Sequence, residues 1–295
     1  MRGRFSAWVM VAGLLLGMSG AGMAAGGSSI TEVRGRIERS MLVKGELLLS
    51  EEGTVASLQL DREEMLPTAI AGYVRATVLP WRFEPVREQG QPVRAKVPVS
   101  LRVVAKQRDD GNFEVALRGV NFIGGGKDDP RGLSCISTTP PRYPREAIDL
   151  GVGGTVYLRL RIGRDGKVMQ ASAEQVNLKF VSRERDQLKF RQLFSESAIE
   201  QALKWSYRTP TEGDLAGRPY WDVWVPADYS FTDRAQPAVR EYGHWQIYVA
   251  GPIQRAPWAE SAAQTWFSLD ALEDGGVYMA DGNSGPRLLT PLQGG

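Results

Sequence analysis

Residue types that commonly carry catalysis are scarce in this 295-residue chain: there is one histidine, His244, and one cysteine, Cys135. A single His with a single Cys makes no zinc site of the ordinary ligand set. Neither Cys135 nor any serine has a second imidazole to serve as a base, and no Gly-x-Ser-x-Gly elbow occurs. His244 lies beside Trp245 and reads as a packed surface residue. Cys135 reads as a small apolar residue in a linker, with a free thiol or an intermolecular link as the alternatives. The pairs Asp109-Asp110 and Asp128-Asp129 sit in polar, turn-rich stretches and read as solvated turns. Gly124-Gly125-Gly126-Lys127 invites a phosphate-loop reading, but no Ser or Thr follows Lys127 and no helical pattern follows Pro130. The expectation is a protein that is not an enzyme and uses no metal or cofactor.

Charge narrows the partners. Residues 1–25 place Arg2 and Arg4 before an apolar run and then small residues, the order of a secretory signal peptide. The expected location is outside the cytoplasm, soluble after cleavage. The competing reading is an uncleaved inner-membrane anchor, since residues 5–25 carry no charge and are long enough to span a bilayer. Without Arg2 and Arg4, 34 basic residues face 34 acidic ones, so no basic surplus remains for nucleic acid.

What remains is the chemistry of a backbone margin. An edge strand shows unpaired N–H and C=O groups, and an extended peptide can pair with them. The candidate is the aromatic strand that opens Tyr220, Trp221, Asp222, Val223, Trp224, Val225; the alternative is an edge already covered by the tail or by the first unit. It closes a unit over residues 139–232. Pro140, Pro141 and Pro144 fix an extended opening. Residues 155–162 alternate, with Val156, Leu158, Leu160 and Ile162 on one face. Asp165-Gly166 is a hairpin signal, residues 168–176 return antiparallel, and helical spacing runs from Phe190 to Trp205.

Residues 31–106 read as a second unit of the same kind. A hairpin turns at Glu52-Gly53, and Leu66, Ile70, Val74 and Val78 keep helical spacing up to Pro80 and Trp81. A final strand runs over 94–104, and Pro98 inside it argues for an edge or a bulge. Residues 107–138 read as a linker with a short strand from Phe113. Residues 233–295, with a strand over 242–249, read as a small β-rich appendage packed on the second unit or partly disordered.

The two units look like diverged copies. Each helix ends in a Trp (Trp81, Trp205), followed by an aromatic (Phe83, Tyr207) and a Pro (Pro85, Pro210). Gly90-Gln91-Pro92 parallels Gly217-Arg218-Pro219, and Val97-Pro98 parallels Val225-Pro226. One helix on a three-stranded sheet is near the lower limit of stability. Two copies can share a core, form a homodimer, or accept another strand.

Tyr143-Pro144, Gly151 and Gly154 with Val156, Asp165-Gly166, Trp205-Ser206-Tyr207 with Pro210, and Gly217-Arg218-Pro219 occur in an order that resembles the TonB C-terminal domain family. The resemblance is strong over residues 139–232 and degenerate over 31–106. It implies an α+β fold of two β-β-α-β units, each a helix on a three-stranded antiparallel sheet. It also implies a periplasmic location and, as partners, other envelope proteins or outer-membrane TonB-dependent receptors, whose short TonB-box segment pairs with this domain in the family. In the family an N-terminal anchor couples to the ExbB–ExbD motor. The leader here lacks the family's anchor histidine, and the long Pro-rich spacer is absent, so that coupling is doubtful. The alternative is an exported, non-transducing interaction scaffold of the same fold.

Overall fold

The computed structural model describes residues 37–107, 113–122, 130–230, 242–259, 268–280 and 285–292. The leader and both Asp pairs lie outside the described residues, as do Gly124 to Lys127, Trp266 and Phe267. The described strands are β1 (Ile37–Leu49), β2 (Val55–Leu60), β3 (Arg87–Glu88), β4 (Gln91–Pro92), β5 (Ala95–Gln107), β6 (Phe113–Phe122) and β7 (Ser134–Ser137). They continue with β8 (Gly154–Gly163), β9 (Val168–Leu178), β10 (Ser206–Arg208), β11 (Tyr220–Tyr229), β12 (Gln246–Val249) and β13 (Tyr278–Met279). The helices are α1 (Thr68–Val78), α2 (Arg145–Asp149) and α3 (Glu184–Ala202). The fold is α+β, and every described strand pair is antiparallel.

In the first unit β1 is central, with β5 along one side and β2 along half of the other. In the second unit β8 is central, between β9 and β11. Each unit thus runs hairpin, helix, return strand. Alternation sets the faces: Val43, Leu47, Val99 and Leu101 meet Ile70, Val74 and Val78 of α1 in one core. Leu158, Leu160, Ile162, Val223 and Val225 meet Phe190, Phe194 and Ala198 of α3 in another.

The same local contacts recur in both units. After α1 the Trp81 N–H donates to the Val78 carbonyl at 3.0 Å, and after α3 the Trp205 N–H donates to Ala202 at 3.0 Å. Phe83 N–H donates to the Gly53 carbonyl at 2.8 Å, and Tyr207 N–H to Gly166 at 2.8 Å. Gly53 (φ 78°) and Gly166 (φ 76°) are both left-handed, and a Cβ would stand 2.1 Å and 2.0 Å from the Phe83 and Tyr207 carbonyl oxygens. Each turn needs glycine twice over, for its φ and for the close approach.

The structure departs from the sequence reading in three places. First, the units are not two separate three-stranded sheets. β12 pairs with β1 from Ile37↔Val249 to Ser40↔Gln246, and Val249 also pairs with Leu178 of β9. One nine-stranded sheet results. Second, part of the expected linker is β6, which pairs with β5 and buries Leu117, Val120 and Phe122 in the first core. β5 is therefore internal over most of its length. Pro98 lies just beyond Val99↔Phe122, the last described pair of β6, so among the described residues its missing N–H leaves no ladder bond unmade. Third, the tail does not pack on the second unit alone. Leu288 pairs with Phe83 and is buried in the first core, and Asp270 touches both units. Its carbonyl accepts Arg102 Nε at 2.7 Å, and its carboxylate accepts Asn177 Nδ2 at 3.3 Å. By this register α1 and α3 lie on one face of the sheet; tail residues Leu269 to Leu272 pack on the other, while Leu288 joins the first core.

Candidate functional site: the outer margin of β11

β11 alternates strictly. Trp221, Val223, Val225, Ala227 and Tyr229 enter the core under α3, while Asp222 and Trp224 face the tail side. The tail side holds a buried ionic network beside a small apolar cluster. Asp222 accepts Arg161 Nε at 2.8 Å and Arg159 Nη2 at 3.2 Å. Glu174 stands in a β-bulge, since Tyr157 pairs with Gln175 and Leu158 with Ala173. The bulge turns its carboxylate onto this face. There it accepts Trp224 Nε1 at 2.8 Å and the Ala256 N–H at 3.0 Å, and stands 3.9 Å from Arg159. The Arg159 guanidinium lies over the Trp224 ring at 5.2 Å. Buried charges of both signs, each held by several partners, fix the position of Trp224.

The backbone of β11 decides what the margin can do. Asp222 and Pro226 turn their carbonyls outward, so Trp224 between them faces outward too. Pro226 places its missing donor on this margin, where no sheet strand needs it. The margin is not bare. β13 pairs there, Val223↔Met279 and Trp224↔Tyr278. Ala280 N–H donates to the Asp222 carbonyl at 2.9 Å, and Gly275 N–H reaches the Pro226 carbonyl at 3.4 Å. The expectation of an open edge over Tyr220 to Val225 is corrected here: the chain's own tail covers it from Asp222 to Pro226. A peptide needs that tail segment to leave before it can pair. The cover is short, a two-residue strand held by Tyr278, which packs on Tyr157, Trp224 and Leu269. Its hydroxyl donates to the Glu273 carbonyl at 3.2 Å and accepts the Glu273 N–H at 3.0 Å.

The remaining sequence-predicted residues hold the unit together rather than meeting at one chemical centre. Tyr143 donates from its hydroxyl to the Val152 carbonyl at 2.6 Å and packs edge-on against Phe194 and Tyr229. Burial, then the nearby Asp228 charge, pushes its phenol up to about 12, so it works as a fixed donor. Pro144 precedes α2 at its N-cap, and Asp165 accepts the Lys167 N–H at 3.1 Å within the Gly166 turn. A Cβ at Gly154 would lie 2.8 Å from the Asn177 carbonyl oxygen. Trp205 is buried and donates to the Thr139 carbonyl at 2.8 Å. Pro210 is buried past β10, and Pro219 immediately precedes β11.

No family model, curated protein or solved structure matches this chain.

His244 and Cys135 are both exposed and stand on different segments, with the Cys135 Sγ 3.1 Å from Thr138 Oγ1. Among the described residues no three His, Cys, Asp or Glu side chains cluster as metal ligands. No described helix is long and apolar enough to cross a membrane. Sequence reasoning missed Glu174 and Tyr278. Glu174 sits in a run without alternation, and Tyr278 lies among Gly and Asp residues, so neither announces its long-range partner.

Proposed function

We propose that this protein is an exported, TonB-like envelope component that binds extended peptides of outer-membrane receptors by strand pairing along the outer margin of β11. The units over residues 31–106 and 139–232 are read as duplicated TonB C-terminal-like β-β-α-β modules. The observation that carries the reading is the state of β11: it is the outermost long strand of its unit, and among the described residues only a two-residue strand lies on it. A margin that already holds a short extended segment has the geometry to hold a longer one. Binding, not catalysis, is the activity proposed.

The test uses the chain without residues 1–25 and a fluorescent peptide carrying a receptor TonB box. Saturable binding is expected. N-methylation at every second peptide residue removes the donors of one ladder side without touching the protein, and is expected to abolish binding. Equal affinity for both peptides refutes strand pairing.

A second reading, the non-transducing scaffold, is favoured by β12. It locks the second unit into a sheet with the first, whereas a transducer needs its receptor-binding unit free to reach. Fractionation separates the readings: an intact leader in the inner membrane supports transduction, and a cleaved soluble chain supports the scaffold.

A further inference from the structure

The seam between the units is not closed along its whole length. β12 covers β1 only from Ile37 to Ser40, and β2 covers it only from Gly45 onward. Positions 41–44 of β1 pair with β5 on one side, and on the seam side no described strand lies beside them. At Lys44 the gap is filled: its N–H donates to the Tyr242 hydroxyl at 3.0 Å, and its carbonyl accepts the Asp61 N–H at 3.0 Å. Alternate residues of an antiparallel strand turn their backbone groups to the same side. Leu42 therefore points its N–H and C=O into the same gap, where no described strand pairs with it.

The gap opens into a cleft of about 220 Å³ between β1, the start of β8 and the tail. Four cations line it, Lys44, Arg62, Arg102 and Lys179, against two carboxylates, Glu273 and Asp274. Lys44 is paired with Glu273 at 2.5 Å, and Lys179 with Asp228. Arg62 and Arg102 have no carboxylate partner among the described residues. Arg62 lies over the Tyr242 ring at 4.5 Å. Arg102 donates to the Asp270 carbonyl at 2.7 Å and to Ser40 Oγ at 3.3 Å, which leaves further N–H groups of its fork uncommitted. Arg62 also holds a left-handed backbone, φ 44° and ψ 48°, which few residues other than glycine adopt. Such strain gathers where a side chain is held for a ligand.

We propose that this seam cleft binds a small carboxylate, held by Arg62 and Arg102 and by the Leu42 N–H, with Tyr157 and Tyr242 as walls. Planar guanidinium forks suit the carboxylate better than a point charge does. A carboxylate oxygen also satisfies the backbone donor that the ladder leaves open. The group belongs either to a free organic acid or to the C-terminus of a peptide. The site is separate from the β11 margin and does not depend on the function proposed for it.

The experiment follows backbone amides by NMR in the chain lacking residues 1–25, titrated with succinate and with triglycine bearing a free C-terminus. Saturable shifts at Leu42 and Lys44 are expected from at least one of the two acids, and the tighter binder distinguishes free acid from peptide terminus. Succinamide and triglycine amide are expected to give none. Arg62→Gly and Arg102→Gln are each expected to weaken binding about tenfold. Glycine accepts the backbone angles of position 62, so a lost response there is not a folding failure, and a melting curve checks Arg102→Gln. The proposal is overturned if neither acid shifts those amides, if the neutral amides act alike, or if both variants bind unchanged.

Discussion

Tyr278→Ala is the perturbation that bears most directly on the covered margin. Tyr278 is 5% exposed and belongs to the small cluster on the tail side, outside both helix-side cores. Truncating a buried aromatic costs about 3–5 kcal/mol. That loss falls on the tail segment, because neither core contains the ring. A loss of about 3 kcal/mol moves the equilibrium between covered and uncovered margin by about 100-fold. A peptide that binds only the uncovered form gains apparent affinity in proportion, up to the point where the cover is no longer the dominant state. Fluorescence anisotropy with the receptor peptide reads this directly, and far-UV circular dichroism checks that the rest of the fold stands. Affinity that is unchanged or weaker in Tyr278→Ala, with the fold intact, refutes the view that the tail and the peptide compete for β11.

Gly53→Ala and Gly166→Ala are each expected to cost more than about 2 kcal/mol in urea unfolding, since strained φ and overpacking against a carbonyl act together; a loss near zero at either turn contradicts the equivalence of the two hairpins. Glu174→Ala removes a carboxylate from a buried network and is expected to cost about 3–5 kcal/mol, read as a lowered melting temperature; a neutral result means that Asp222 alone supports Arg159. Burial raises the phenols of Tyr143 and Tyr229 from 10.0 to about 12. The unfolded chain then gives up these protons first as pH rises through 10, so stability that is complete below pH 10 is lost between about 10 and 12. Tyr143→Phe is expected to flatten that loss in pH-dependent melting, and an unchanged alkaline slope contradicts the assignment.

Local chemistry made much of each unit readable. Asp165-Gly166 and the alternation of Val156, Leu158, Leu160 and Ile162 define a hairpin without help from the rest of the chain. The α3 stripe through Phe190, Phe194 and Ala198 does the same for the helix. A short strand from Phe113 was legible, but the place of β6 in the first core was obscured by its bulge. Val115 and Leu117 lie on one parity and Val120 and Phe122 on the other, because the register slips between Arg102 and Val103 and the pairing of β6 passes over Arg118. A period-two reading stops at that slip. β12 falls within residues 242–249, which read as a strand, but its partners were not legible, and β13 was not legible at all. They are four and two residues long, and what they do depends on β1, β9 and β11, which lie far off in the chain. The tail's cover over Val223 and Trp224 therefore could not be read from the residues of β11, which fit a free and a covered edge alike. Glu174 looks like an ordinary polar position until the bulge turns it toward Trp224 and Arg159.

The most direct measurement is NMR of the chain lacking residues 1–25 with the receptor peptide bound, observing cross-strand contacts at Val223 and Trp224. The account predicts that contacts from Met279 and Tyr278 to these residues disappear and that peptide backbone contacts replace them. Tail contacts that persist while the peptide is bound, or peptide contacts that appear only elsewhere, contradict it.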